Sequence, residues 1–286
     1  MNTIEPVLLK GLQKTDYESV INHRIRKILM ICSNYDAFIL EEDGQIETQI
    51  YNEYIDLNLS NPPKFIWVQT AAEARELLNT VVGIDMVMSM YNVTDKEVFT
   101  LASEIKRERP GLPFVLLTHF SKEVYRRLAL QDMSAIDHIF CWHGNADLIV
   151  AIVKLFEDIR NAEHDILGAG VQAILLVEDS VRFYSTYLPE LYKMTLMQTS
   201  EFLKETLNEQ QKKIRKRSRP KILLATNYDD AIELYNKYKN NLLGVISDVG
   251  FTLHKNESAE DEVLDAGIRL ARYIKEDDPM MPILLQ

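Results

Sequence analysis

The sequence predicts an α/β protein with two doubly wound parallel sheets, one after the other along the chain. Short, unbroken apolar runs alternate with segments of helical periodicity, which is typical of strands that helices bury on both faces of a sheet. The same ordered landmarks occur twice, and such repetition indicates two copies of one unit. A chain of 286 residues is long enough for both copies, since each needs about 100 to 150 residues.

Four apolar runs of the first half have counterparts in the second half. In chain order the paired runs begin at Lys27 and Ala173, Pro63 and Pro220, Ile84 and Leu242, and Pro110 and Pro279. The first copy adds a fifth run, IDHIFCW, and an amphipathic helix after it. For such strands joined by helical crossovers the commonest order is the flavodoxin-like 2-1-3-4-5. We expect this order in both copies, with the second copy truncated after strand four.

The landmarks divide the chain into four segments. We expect a helical segment over residues 1–24, a first unit over 25–162, a linker over 163–170 and a second unit over 171–286. In each copy the stretch between the first and second strands exceeds what one ordinary helix needs. In the second copy this stretch continues an apolar stripe near 188–213, which predicts a long helix that could pair two chains as a homodimer.

Composition narrows the classes of function. An apolar fraction of 47% with 26% charged residues is typical of soluble globular proteins. A net charge of −11 disfavours binding to nucleic acid and to anionic membranes. The chain has no apolar run long enough to span a bilayer and does not begin like a secretion signal, so we expect a cytoplasmic protein. Cys32 and Cys141, the only cysteines, each end an apolar run and are expected to stay reduced.

Two other groups favour a structural interpretation. A basic run begins at Lys212 and ends at Arg219 and Lys221. We interpret it as the solvated end of a helix, where cations suit the helix dipole, rather than as an anion site. The run that holds His138 and Cys141 has metal-ligand residue types, but these two side chains point to opposite faces of a strand. A metal site there is not expected.

Three acidic residues of the second copy are expected to meet. Glu178 and Asp179 follow its first strand, and Asp248 follows its third strand. In the predicted order these strands are neighbours, and ligands bind beyond their carboxyl ends. Clustered carboxylates repel each other unless a cation lies among them, and Mg²⁺ prefers oxygen ligands. We expect Mg²⁺ on Asp179, Asp248 and the backbone carbonyl of Gly250, with Glu178 acting through water. The alternative is that these acids only cap helix starts.

The strings ILLVEDS and VISDVG, which contain these acids, resemble the receiver domains of response regulators. In that family an acidic pair closes strand one and a phosphoacceptor aspartate closes strand three. The resemblance covers residues 171–286, with a degenerate echo over about 25–160. It implies Asp248 as phosphoacceptor, Mg²⁺ as cofactor and a histidine kinase or phosphotransfer protein as donor. The chain would then be a switch rather than an enzyme, and would control an attached output domain or a partner protein.

Departures from the family pattern distinguish the two copies. The family uses a hydroxyl residue after strand four and a lysine after strand five, and the second copy stops at Gln286, one position before that hydroxyl. In the first copy the matching residues are Cys32 and Ser33 for the acidic pair, Met90 for the phosphoacceptor, Thr118 for the hydroxyl residue and Trp142 for the lysine. The first copy therefore resembles a pseudo-receiver whose work is docking.

Further interpretations of the second copy remain open. The string ILLVEDSVRFYSTYLPELYK is also similar to the amino-terminal region of phosphoenolpyruvate synthase-like proteins. That similarity implies a nucleotide- and pyruvate-binding catalytic region after Gln286. A Mg²⁺-dependent phosphatase with Asp248 as nucleophile is a rival, although it would carry a second acid where Gly250 stands. A scaffold in which neither copy is phosphorylated is the other rival.

Overall fold

The computed structural model describes residues 22–33, 46–56, 61–119, 131–142, 144, 146–204, 219–255, 257 and 261–286. In the first half the elements are β1 (Lys27–Ile31), α1 (Ile46–Asp56), β2 (Lys64–Val68), α2 (Ala71–Thr80), β3 (Met86–Met90), α3 (Val98–Glu108), β4 (Phe114–Thr118), β5 (His138–Cys141) and α4 (Ala146–Ala162). In the second half they are β6 (Ala173–Val177), α5 (Val181–Lys204), β7 (Lys221–Ala225), α6 (Tyr228–Tyr238), β8 (Leu242–Ser247), α7 (Ala266–Asp277) and β9 (Ile283–Leu285). The predicted amino-terminal helix over 1–24 falls almost entirely outside the described residues.

Two parallel sheets form the frame of the fold. The first has the order β2-β1-β3-β4-β5 and the second the order β7-β6-β8-β9. This arrangement confirms the predicted fold class, with order 2-1-3-4-5 in the first sheet and its first four strands in the second. In the first sheet Ile31 pairs with Ser89, and in the second Val177 pairs with Ser247. Met90 and Asp248 therefore occupy equivalent positions, as the repeat predicts.

Local sequence explains why these segments form these elements. The strands are mainly apolar because helices cover both faces of each sheet, and every residue of β3, β4 and β7 is buried. Polar side chains cap the amino-terminal ends of the short helices α2 and α6. Thr70 accepts a hydrogen bond from the backbone N–H of Glu73 at the start of α2, and Asn227 accepts one from Asp230 at the start of α6.

Helix α4 packs between the two sheets. A single apolar cluster contains Met88 of β3, Ile152 of α4 and Ile222 of β7, so both halves of the chain contribute to one core. Nearly every residue of α4 is buried for this reason. The chain leaves α4 through a π-helical turn (Glu163–Gly168), within the segment predicted as a linker.

Helix α5 covers the edge of the first sheet. The hydroxyl of Tyr184 donates to the carbonyl of Ile139, and the N–H of Cys141 donates to Ser185 Oγ at 2.9 Å. These bonds satisfy backbone groups of the edge strand β5. The apolar stripe of α5, including Leu196, is partly buried in the cluster around α4. The described part of the predicted dimerisation helix thus packs within its own chain, and 205–213 lie outside the described residues.

A buried carboxylate joins the two halves. Asp158 of α4 accepts two hydrogen bonds from the Arg219 guanidinium, at 2.8 and 2.9 Å. The same carboxylate accepts from the Tyr192 hydroxyl at 3.0 Å and from the Ile222 N–H at 3.1 Å. Burial alone would raise the pKa of Asp158, but the charges of Arg219 and Lys221 hold it below its ordinary value.

The interpretation of the basic run as a solvated helix end is wrong for two of its members. Arg219 is 2% exposed and Lys221 is fully buried. Lys221 Nζ lies 2.7 Å from a carboxylate oxygen of Asp165, which follows α4. The compensating acids come from a distant part of the chain, so the local pattern did not reveal them. The residues from Lys212 to Arg217 lie outside the described part.

Two observations bear on the remaining structural expectations. Cys32 and Cys141 are buried and form no disulfide bond. Within the described ranges, no helix is both long enough and apolar enough to cross a membrane.

We predict that Asp158→Asn lowers the free energy of unfolding by about 3 to 5 kcal/mol, because Arg219 and Lys221 would remain buried without that charge. Urea denaturation measures the change. Glu108→Gln is the control, because Glu108 forms an exposed ion pair with Arg75, and its loss should cost under about 1 kcal/mol. Equal losses in the two variants would contradict a structural role for the Asp158 cluster.

Candidate functional site

The acidic residues lie where neighbouring strands of the second sheet end. Glu178 and Asp179 follow β6 directly, and Asp248 follows β8. The parallel ladder continues one residue past β8, since the Asp248 N–H donates to the Val177 carbonyl at 2.9 Å. Backbone pairing therefore brings the carboxyl ends of both strands to the same edge of the sheet.

The three side chains come together as a cluster. Glu178, Asp179 and Asp248 each offer a carboxylate oxygen, and these oxygens lie within 4.8 Å of one another. In the described part of the chain, no other group of His, Cys, Asp or Glu has the spacing to hold a metal ion. Glu178 is buried, whereas the two aspartates are half-buried. This spacing and the all-oxygen donor set suit a hard divalent cation.

Backbone N–H groups orient the carboxylates. The bonds run from Ser180 N–H to Glu178 at 3.0 Å, from Thr252 N–H to Asp179 at 3.2 Å and from Val249 N–H to Asp248 at 2.6 Å. A carboxylate offers about four lone-pair sites, so these bonds leave acceptor capacity for a cation. The side chains are thus held in place without being saturated.

Burial and mutual repulsion raise two pKa values in the cluster. Desolvation, with smaller contributions from Asp248, Asp179 and Glu262, raises the pKa of Glu178 to about 7. Desolvation, with Glu262 and Asp248, raises the pKa of Asp179 to about 6. Keeping these carboxylates ionised near neutral pH therefore costs free energy. A divalent cation would offset that cost, so the residues present fit Mg²⁺.

A fourth acid, Glu262, lies beside the cluster and escaped the sequence reasoning. It belongs to the loop between β8 and α7, which folds back through an antiparallel bridge between Phe251 and Val263. A Cβ on Gly250 would collide with the Glu262 carboxylate. Glycine at position 250 therefore leaves room for an acid that arrives from farther along the chain. No local signal marks Glu262, because only the folded loop brings it here.

Helix α7 supports the backbone of Asp248. The Gly267 N–H donates to the Val249 carbonyl at 2.9 Å. A Cβ at Gly267 would collide with the carbonyl oxygen of Asp248. The first turn of α7 thus packs directly on the residue predicted to be the phosphoacceptor, and this contact restricts how its backbone can move.

The first sheet lacks carboxylates at the equivalent positions. Cys32 and Met90 are buried at the ends of β1 and β3, where the second sheet has Glu178 and Asp248. Thr118 and Trp142, which match the hydroxyl and lysine positions of the receiver pattern, are also buried. These side chains offer neither a cluster of metal-ligating oxygens nor an acidic phosphoacceptor.

His138 packs among aromatic rings. Its imidazole lies 6.1 Å from the Phe140 ring and 5.6 Å from the Phe156 ring, measured between centroids. Burial lowers the pKa of His138 to about 4, so the ring is neutral at physiological pH. Its surroundings are those of a structural side chain.

Comparisons with known proteins give distant structural similarity. No protein-family model and no curated protein matches the chain. A signal receiver domain of an HD domain-containing protein from Pseudomonas fluorescens is 19% identical, with a TM-score of 0.35 over 49% of this chain and 93% of that one. A response regulator from Thermotoga maritima is 18% identical, with a TM-score of 0.34 over 48% of this chain and 54% of that one. A putative response regulator/GGDEF domain protein is 14% identical, with a TM-score of 0.35 over 91% of this chain and 82% of that one.

We predict that, without divalent cations, the midpoint of urea unfolding falls as the pH rises from about 4.5 to above 7. The pKa of Glu178 is raised to about 7 and that of Asp179 to about 6, above the values of the unfolded chain. Between those limits the native state binds more protons, and its stability decreases as they leave. Mg²⁺ should restore the midpoint at pH 7.5, and the double variant Glu178→Gln/Asp179→Asn should lose most of both effects. A midpoint in wild type that responds to neither pH nor Mg²⁺ would contradict the repulsive cluster.

Proposed function

We propose that the chain is a phosphoacceptor switch of the phosphorelay type, with Asp248 as the residue that takes the phosphoryl group. The observation that carries this proposal is the convergence of Glu178, Asp179 and Asp248 at the carboxyl edge of the second sheet. A carboxylate oxygen of Asp248 attacks the phosphorus of a donor. The P–O bond to Asp248 forms as the bond to the leaving group breaks, and the leaving group keeps that electron pair.

The proposed cofactor is Mg²⁺. Asp179, Asp248 and the backbone carbonyl of Gly250 would hold it, with Glu178 acting through a water molecule. When bound, the ion supplies positive charge that neutralises the oxygens of the phosphoryl group. Asp179 is oriented for this role by the Thr252 N–H. The backbone of Asp248 is held by α7 through the close packing of Gly267.

The two halves are proposed to have different roles. Residues 171–286 would be the receiver, and 25–162 a pseudo-receiver that docks, with 163–170 joining them and 1–24 preceding both. We assign no phosphotransfer role to the first half because Cys32, Ser33 and Met90 stand where the second half has its three clustered acids. Their common core around α4 would keep the two units in a fixed arrangement.

The partners belong to the same proposal. The donor would be a histidine kinase or a phosphotransfer protein, in the cytoplasm. The output would be an attached domain or a partner protein, and a phosphoenolpyruvate synthase-type enzyme is the one that the sequence resemblance favours. Phosphorylation would act by biasing a two-state surface near Asp248 that the output binds. Homodimerisation through 188–213 would have to use faces of the helix other than the one buried against α4.

We predict that wild type incubated with acetyl phosphate and Mg²⁺ gains one phosphoryl group, as measured by intact mass. Asp248→Asn should gain none, because an amide does not attack phosphorus as a carboxylate does. Asp229→Asn is the control, since Asp229 is an exposed acid of the same sheet edge, and it should gain one group as wild type does. No gain in wild type with folding confirmed by circular dichroism would exclude the switch and favour the scaffold.

A Mg²⁺-dependent phosphatase is the second candidate, and the position of Glu262 favours it. Such an enzyme needs a second acid near the nucleophile to protonate the leaving alcohol. Gly250 cannot serve, but the Glu262 carboxylate lies against Gly250. In this reaction Asp248 takes the phosphoryl group, Glu262 gives its proton to the departing oxygen, and water then hydrolyses the aspartyl phosphate.

Release of inorganic phosphate from glycerol phosphate, whose alkoxide leaves poorly unless it is protonated, separates the two candidates. For a phosphatase we predict sustained turnover in wild type and a loss of about 10²- to 10⁴-fold in Glu262→Gln, the usual contribution of an acid catalyst. For a switch we predict no sustained turnover, and Glu262→Gln should still take one phosphoryl group from acetyl phosphate. Glu276→Gln, which changes an exposed acid of α7, is the control and should match wild type in both assays.

A further inference from the structure

A basic groove lies at the amino-terminal end of the first sheet. It has a volume of about 360 Å³, and its cationic lining comes from Arg24, Arg26, Lys27 and Arg160. The first three lie in the segment that leads into β1 and in its first residue, and Arg160 lies in the last turn of α4. The groove is therefore built from two elements that are far apart in the chain.

The cations of this groove are not balanced by carboxylates. Lys27 Nζ donates to the Val82 carbonyl at 2.8 Å, and Arg160 donates to the Asp85 carbonyl at 2.9 Å. Both bonds hold a cation in place without neutralising it. Considering only acids that the structure describes, Arg24, Arg26, Lys27 and Arg160 form no ion pair with any of them.

One acid lines the groove, and it is already engaged. Asp85 Oδ2 accepts the backbone N–H groups of Arg26 at 2.8 Å and Lys27 at 3.1 Å. Counting only residues that the structure describes, a single carboxylate thus faces four cations, which leaves a net positive charge at this place. The whole chain has a net charge of −11, so the groove is a positive region of a negatively charged protein. Holding like charges together costs free energy unless an anion joins them.

The chemistry of the lining selects the class of anion. Guanidinium groups match the oxygens of a phosphate in geometry and charge, and three of the four cations are arginines. The volume is at the lower end of the range for small-molecule pockets, about 300 to 1,000 Å³. Among the described residues that line the groove, none is phenylalanine, tyrosine or tryptophan, and its charged groups favour recognition of the ligand through its phosphate oxygens.

We propose that this groove binds a small, multiply charged phosphate ligand, with Arg24, Arg26, Lys27 and Arg160 as its binding residues. The site is separate from the acidic cluster of the second sheet and does not depend on the function proposed for Asp248. Bound there, the ligand joins the segment that leads into β1 to the end of α4.

Isothermal titration calorimetry with inorganic pyrophosphate tests the site. Wild type should bind one pyrophosphate saturably, and Arg24→Gln/Arg26→Gln should bind it at least about tenfold more weakly, as expected when charge-assisted hydrogen bonds are lost. Arg107→Gln/Arg272→Gln is the matched control, because it removes the same charge from two exposed arginines elsewhere. It should bind as wild type does. Arg26→Gln alone, at an exposed position, should show a smaller loss, and it serves as the test if the double variant fails to fold.

Three outcomes would overturn the proposal. One is the absence of saturable heat in folded wild type. Another is an equal loss in the control pair, which would indicate attraction by overall charge alone. The third concerns the midpoint of urea unfolding, which pyrophosphate should raise if it binds the native protein. An equal rise with potassium chloride at matched ionic strength would overturn the proposal, since a specific ligand stabilises beyond the effect of screening.

Discussion

The arrangement of the molecule depends on one buried carboxylate, Asp158. A charge taken out of water is tolerated only where partners surround it, and here those partners come from the other half of the chain. The Arg219 guanidinium, the Tyr192 hydroxyl and the Ile222 N–H all converge on it. Asp158 can therefore be buried only when α4 lies against the start of β7. This constraint gives the apolar contact between the halves a defined register.

Helix α4 also contacts the first sheet through hydrogen bonds of its polar side chains. Its Glu157 accepts the Ile25 N–H at 3.2 Å, and its Asn161 exchanges hydrogen bonds with the backbone of His23. One helix thus positions the segments that lead into β1 and into β7. Helix α5 adds a second connection, because it begins directly after the acidic pair and reaches the edge strand β5 through Tyr184. The acidic site is consequently attached to both sheets through the helix that follows it.

The two sheets concentrate charges of opposite sign, acids at the second sheet and arginines at the first. At the carboxyl edge of the second sheet, burial, together with the neighbouring acids and Glu262, raises the pKa values of Glu178 and Asp179. At the amino-terminal end of the first sheet, arginines line a groove where Asp85 is the one acid among the described lining residues. Both places keep like charges close together, and each would be relieved by a ligand of the opposite charge. The first sheet keeps the fold but has buried Cys32 and Met90 where the second has acids.

The strands, their order and the meeting of Glu178, Asp179 and Asp248 could be predicted from the sequence alone. Each depends on local apolar runs and on the rule that parallel strands end at one edge. The placement of Glu262, the burial of Arg219 and Lys221, and the basic groove could not be predicted. Each of these joins residues that are distant in the chain and carry no local pattern. Tertiary structure decided them, because the free energy of a charge depends on which partners the fold brings within a few ångströms of it.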